Sequence, residues 1–160
     1  MKTTMHIDGL RELDAALGAL AEEYGKPAGK AVLRRVADKA LQPMAETARS
    51  MAPDDPATGA NDLKSRISVG GKLTPRQAKL ARKDQDRALI TRYMGTDDPA
   101  GVLQEFGTVN HGPQPFMRPA FSQHAEGAIR IVASELGPEI EKTAVRLAKR
   151  RAAKAAKAAG

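Results

Sequence analysis

Apolar residues recur at steps of three and four through most of the first fifty positions, a spacing that suits helices and little else. Leu10, Leu13, Leu17, Leu20 and Tyr24 form one continuous stripe, as side chains sharing one face of a 3.6-residue helix must. Asp8 stands where an N-cap is needed, its carboxylate able to accept from free N–H groups of the first turn. Gly25-Lys26-Pro27 stops this helix. A second pattern runs from Pro27 through Val32, Leu33, Val36, Ala40, Leu41, Met44, Ala48 and Met51. Pro43 removes one backbone hydrogen bond and is expected to bend it, and Pro53 ends it. The two helices are expected to pair, antiparallel or angled, with their stripes facing a shared core.

The period then changes. Pro53 to Asn61 is a loop by composition, rich in Pro, Asp, Gly and Asn. Ile67 and Val69 alternate with Arg66 and Ser68, and the run Ala88 to Met94 is rich in β-formers, so both read as strands. Gly70-Gly71 reads as a strand end or bulge. Between the strands, Thr74-Pro75-Arg76-Gln77 has the form of a capping box with proline at the first helical position, predicting a short exposed helix over 75–85. From Pro119 a third helical pattern passes through Phe121, Ala125, Ile129, Val132 and Leu136. It breaks at Gly137-Pro138 and resumes with Ile140, Ala144 and Leu147.

With three Phe, two Tyr and no Trp in 160 residues, the core must be aliphatic, as in packed helices. The expected fold class is α+β: two N-terminal helices and a long C-terminal helix packed on a small, mainly antiparallel sheet. Length suits one domain, over 1–147, with a basic Ala/Lys-rich tail at 148–160 that is helical or disordered, since it holds no large apolar group to anchor it.

The absence of cysteine removes disulfides, thiolate metal sites and cysteine nucleophiles together. His6, His111 and His124 are scattered, without metal-ligand spacing. No Gly-x-Ser-x-Gly elbow, phosphate loop or His-Glu-x-x-His helix occurs. Neither an enzyme nor a resident cofactor is expected. The N-terminus lacks an apolar stretch of signal-peptide length and no window approaches the roughly 18 apolar residues of a membrane span, so a soluble protein remaining in the cytoplasm of its synthesis is expected. The net charge of +7 is local: Lys142, Arg146, Lys149, Arg150, Arg151, Lys154 and Lys157 account for all of it, and no acid accompanies them.

The most unusual local chemistry lies in residues 102–121. Glu105-Phe106-Gly107-Thr108 places an acid and an aromatic before a glycine able to take positive φ. Pro113, Pro115 and Pro119 stiffen the return, and Pro119 is expected to open the last helix. These residues resemble the gene-product-ten-like family of tailed-phage morphogenesis proteins, related in role to minor tail and tail-completion proteins. Its hallmark is Glu-Phe-Gly-Thr followed shortly by Pro-Phe-x-Arg-Pro-Ala, matched here at 105–108 and 115–120. Ala52-Pro53, Thr58-Gly59, Leu63-Lys64 and Ile67 fit an upstream pattern, as does Gly9-Leu10 with its helix. The resemblance covers roughly residues 8 to 135 and leaves out the 75–85 helix and the basic tail. It implies a virion structural protein of the siphophage type: a homo-oligomeric ring in the neck that joins head to tail, assembled in the host cytoplasm. Its neighbours would be head-closure or connector proteins and tail terminator or tail tube proteins, and multivalency would turn modest contacts into a closed collar.

On this reading Glu105, Phe106, Gly107, Thr108, Pro115, Phe116, Arg118 and Pro119 form a docking loop. Glu105 and Arg118 either brace that loop as an ion pair or reach a neighbouring subunit. Phe106 and Phe116 are either interface anchors or core. Lys149, Arg150, Arg151, Lys154 and Lys157 contact DNA non-specifically, contact an acidic partner, or stay solvated. The alternative function is a nucleic-acid-binding protein using this basic tail.

Overall fold

The computed structural model describes residues 10–53, 63–81 and 90–159. In chain order these hold α1 (Leu10–Tyr24), α2 (Lys26–Met51), a 3-10 turn (Leu63–Arg66), β1 (Ile67–Gly70), α3 (Pro75–Ala81), β2 (Tyr93–Thr96), α4 (Pro99–Phe106) and α5 (Met117–Ala159). The fold is α+β, long helices with one small antiparallel sheet. Asp8, the expected cap of α1, lies outside the described residues. Gly25 alone separates α1 from α2; its φ of 88° is a left-handed conformation that glycine adopts without a Cβ clash. Pro43 lies inside α2, which continues past it to Met51.

The chain divides into two compact units. In the first, formed by residues up to Val36 and from Arg130 onward, Leu20 of α1, Val32 and Val36 of α2, and Leu136 and Ile140 of α5 make the core. Leu13, Leu17, Tyr24, Leu33 and Val132 pack against it. The predicted stripe of α1 thus shares a core with the first part of the α2 stripe, Val32, Leu33 and Val36, while its continuation through Leu41, Met44 and Ala48 packs in the second unit and Met51 is exposed. The hydroxyl of Thr143, a buried polar residue, accepts from Arg35 Nη2 at 2.6 Å, while Arg35 Nε donates to Glu139.

The expected break at Gly137-Pro138 does not occur: α5 runs uninterrupted from Met117 to Ala159. Proline inside a helix costs about 3 kcal/mol, but Leu136 and Ile140 on either side are buried, each contributing about 1.5–3 kcal/mol. Continuing the helix keeps both in the core, which outweighs the lost hydrogen bond.

The second unit, residues 37–129, holds the sheet. Ile67, Ser68, Val69 and Gly70 of β1 face Thr96, Gly95, Met94 and Tyr93 of β2. The second strand covers Tyr93–Thr96; of the expected Ala88 to Met94, Ile90 to Arg92 precede it and Ala88 and Leu89 lie outside the described residues. Because β1 stops at Gly70, Arg92 has no strand opposite it. Its guanidinium instead makes a bidentate pair with Asp38, Nη2 to Oδ2 at 2.7 Å. The capping box of α3 is reciprocal as expected: Gln77 N donates to Thr74 Oγ1 at 3.3 Å and Thr74 N to Gln77 Oε1 at 3.0 Å. The helix is described to Ala81, and the remainder of the expected 75–85 span lies outside the described residues.

A two-stranded sheet is marginal by itself, and this one is held by packing. Met44, Ala45 and Ala48 of α2 cluster with Ala52, Leu63, Ile67, Phe116 and Ala120, with Val69 and Met94 packed against them. Arg49 at the end of α2 donates to the carbonyl of Ile67 from Nε and Nη2, at 3.0 and 2.9 Å, fixing where β1 begins.

Replacing exposed Pro138 with Ala restores a helical N–H in the middle of α5, and urea unfolding should show a gain of about 1–3 kcal/mol. Ile140→Ala should cost about 2–5 kcal/mol in the same experiment by opening a cavity in the first unit.

Candidate functional site

The site is a joint between α4 and α5. Helix α4 was not expected from periodicity, yet its start is written in Asp98-Pro99. Asp98 takes an extended N-cap conformation and its carboxylate accepts from Ala100 N at 2.9 Å, with Pro99 leading the first turn. Gly101 lies so close to β2 that a Cβ there would stand 2.4 Å from Thr96 Cγ2. Gly101 and Glu105, four residues apart, face inward together.

Glu105 is the centre of the joint. It is 4% exposed, and its carboxylate accepts four hydrogen bonds: from Phe116 N at 2.8 Å, Met117 N at 2.9 Å, Arg118 N at 3.1 Å and Arg118 Nε at 2.9 Å. A helix leaves its first four N–H groups without intrahelical partners. In α5 the earliest intrahelical bond runs from Ala120 N to the carbonyl of Phe116, so the groups left over belong to residues 116–119. Three donate to Glu105, and the fourth residue, Pro119, has no N–H to leave over. Helix α5 thus opens at Met117, two residues before the proline expected to open it, because a carboxylate from another helix caps it.

The other end of the joint is capped as well. Gly107 N donates to Leu103 O at 2.8 Å, Gln114 N to Gln104 O at 2.7 Å, and Arg118 Nη2 to Glu105 O at 2.9 Å. The last turn of α4 therefore has donors on three successive carbonyls. A cation at that C-terminus and an anion at the N-terminus of α5 both oppose the helix dipoles favourably. Gly107 has φ of 78°, and a Cβ on it would meet His111 O and Pro113 N at 2.9 Å. Only glycine fits. Thr108 then starts a tight turn, its N–H donating to His111 O at 2.8 Å and its Oγ1 accepting from Asn110 N at 3.3 Å.

Burial pushes the Glu105 carboxyl pKa up, but the N–H donors of Met117 and Phe116 and the guanidinium and N–H of Arg118 pull it down further, so it lies below the ordinary range.

The two phenylalanines go different ways. Phe116 is completely buried in the core of the second unit. Phe106 is 65% exposed, with the Arg118 guanidinium 5.0 Å from its ring centroid, a cation–π contact. The Glu105–Arg118 pair forms within the chain, so Arg118 braces the loop while 60% of its side chain stays open to solvent. Pro115 is exposed.

Around the joint the structure leaves apolar groups outward that the sequence reading did not single out as surface. Val102 and Leu103 share the outer face of α4 with Phe106, by helical spacing. Val109 in the turn is fully exposed, and Phe121, expected on the inner stripe of α5, is 61% exposed. The Asp98-Pro99 signal, followed by the inward-facing Gly101 and Glu105, is what would have placed 102, 103 and 106 outside.

Lys149, Arg150, Arg151, Lys154 and Lys157 belong to the last, helical stretch of α5. Every residue from Ala148 to Ala158 there is exposed. His124 shares a hydrogen bond of 2.7 Å with Thr47 Oγ1. Among the described residues no three His, Asp or Glu side chains gather as a metal site would require, and no helix is long and apolar enough to cross a membrane.

Comparison with protein-family models, with curated proteins and with solved structures finds no match to this chain.

Removing the Glu105 carboxylate orphans three N–H groups at the start of α5, so Glu105→Ala should lose about 2–4 kcal/mol on urea unfolding. The pH dependence follows from the depressed pKa. The unfolded chain takes up the Glu105 proton at a higher pH than the folded one, so this group's stabilisation is complete above the ordinary glutamate value of about 4.3. It is lost as pH falls through the lower folded value. Urea midpoints measured downward from neutral pH should fall less steeply in Glu105→Gln than in the wild type across that window.

Proposed function

We propose that this chain is a structural subunit of a tailed-phage particle, a ring-forming neck or tail-completion protein that joins head and tail. The reading rests on the likeness of residues 105–108 and 115–120 to the phage morphogenesis motifs. The observation that carries it is what those residues do: most positions of the two motifs take part in building one joint, while Val102, Leu103 and Phe106 leave an apolar face of α4 outward. Glu105 caps α5, Gly107 turns the chain, Phe116 fills the core, Arg118 closes on Glu105, and Ala120 is fully buried. A subunit repeated around a ring needs such a preorganised element, because ordering a loose loop would subtract from each contact. Contiguous exposed apolar surface is the usual mark of a protein contact, and aromatic and arginine side chains are both enriched where proteins meet.

The partners on this reading are further copies of the chain, the head-closure or connector protein on one side and the tail terminator or tail tube on the other. The chain would act by geometry rather than by catalysis, in the neck of the virion after assembly in the host cytoplasm.

The test is assembly with the fold held constant. Native mass spectrometry should show closed rings, either of the purified protein alone or once neck partners are added. Phe106→Ser combined with Val102→Ser changes exposed side chains and removes the Arg118 ring contact, so its unfolding free energy should stay within about 1.5 kcal/mol of wild type while ring formation and incorporation into particles are lost. A wild-type chain that stays monomeric and never enters particles would overturn the reading.

A further inference from the structure

The joint leaves one strongly charged element unexplained, the last stretch of α5. It is helical to Ala159, and from Ala148 to Ala158 no residue is buried. At 100° per residue, Lys142, Arg146, Lys149, Arg150, Lys154 and Lys157 fall within an arc of about 140°, and Arg151 falls outside it. The six span about 22 Å of helix. No acidic residue follows Glu141, and among the described residues none of the six has an acidic partner. We propose that this face binds the phosphate backbone of double-stranded DNA, without sequence preference. The inference stands apart from the ring reading and uses none of the joint residues.

The composition of the arm chooses among polyanions. From Ala148 onward every residue is Ala, Lys or Arg up to the terminal Gly160. A protein partner would need a cluster of desolvated aromatic or large aliphatic anchors for affinity; alanine supplies none, and the exposed Val145 lies outside the basic arc. An acidic membrane surface would need a bulky apolar face opposite the basic one, and single-stranded nucleic acid would need aromatic rings to stack on bases. What remains is release of condensed counterions, the term that dominates non-specific duplex binding. A duplex presents a charge for roughly every 1.7 Å of its axis, dense enough to engage each cation of a 22 Å face. Alanine on the remaining positions keeps the helix favourable and lets it lie close.

Fluorescence anisotropy of the full chain with a random duplex of about 30 base pairs reads the proposal directly. Six engaged cations predict a slope of log K against log salt of about −5, the same for an unrelated duplex. Replacing Lys149, Arg150, Lys154 and Lys157 together by Gln should bring the slope to about −2 and weaken binding at least 100-fold at low salt. Arg151→Gln, outside the arc, should leave the slope nearly as it was. Ala153→Pro keeps every charge but breaks the face, and should weaken binding at least 10-fold. No duplex binding at low salt would overturn the proposal, as would Arg151→Gln weakening binding as much as Arg150→Gln, or an unaffected Ala153→Pro. Polyglutamate displacing the duplex at equal charge concentration would replace DNA with an acidic protein as the partner.

Discussion

One carboxylate decides where the last helix begins. Glu105 gathers the N–H groups of Phe116, Met117 and Arg118 and the Arg118 guanidinium, and a buried acid is stable only under such complete satisfaction. The consequences run outward from it. Because α5 starts at Met117, Phe116 is set into the core beside Ile67, Ala48 and Ala120. Because Arg118 is drawn back to Glu105, Phe106 has a cation over its ring and presents its other face to solvent. A single interaction thus sets both the interior of the second unit and the surface proposed to meet a neighbour.

The scarcity of aromatic residues gives this arrangement its weight. Phe116 is the largest fully buried side chain among the described residues, and its companions in the cluster are mostly alanine, with Met44, Leu63 and Ile67. Small side chains let α2 approach closely, but each buries little area. The unit therefore leans on polar ties that fix its geometry: Arg49 on the Ile67 carbonyl, Arg92 on Asp38, and Thr47 with His124. The exposed pair of Arg66 with Asp97 and Asp98, at 3.5 and 3.7 Å, adds little by comparison, since solvent screens it.

What the sequence could reveal depended on whether a signal was local. The stripes of α1 and α2, the Thr74 to Gln77 capping box and the α+β class were all readable, because period and capping chemistry act within a few residues. The second strand was displaced because its limits are set by its partner: β1 ends at Gly70, and a strand extends no further than what it pairs with. Gly137-Pro138 read as a break because local propensity cannot know that Leu136 and Ile140 are both buried. At the joint, the residues of the two motifs were found, but not their division of labour. That Phe116 turns inward while Phe106 and Phe121 turn outward follows from Glu105 reaching eleven residues ahead, a contact no periodicity encodes.

The spacing of contacts along the chain also implies an order of events. The bonds of Glu105 close segments of 11 to 13 residues, a small entropic cost for a flexible chain. The polar ties of the first unit join Arg35 to residues 104 and 108 positions away. A chain emerging from the ribosome amino end first completes residues 37–129 while the partners of Leu20 and Val32 at 136 and 140 are still unmade. The carboxylate cap can therefore start α5 early, and each later residue lengthens a helix already begun. The apolar face of α1 must wait for that growth before its burial is complete.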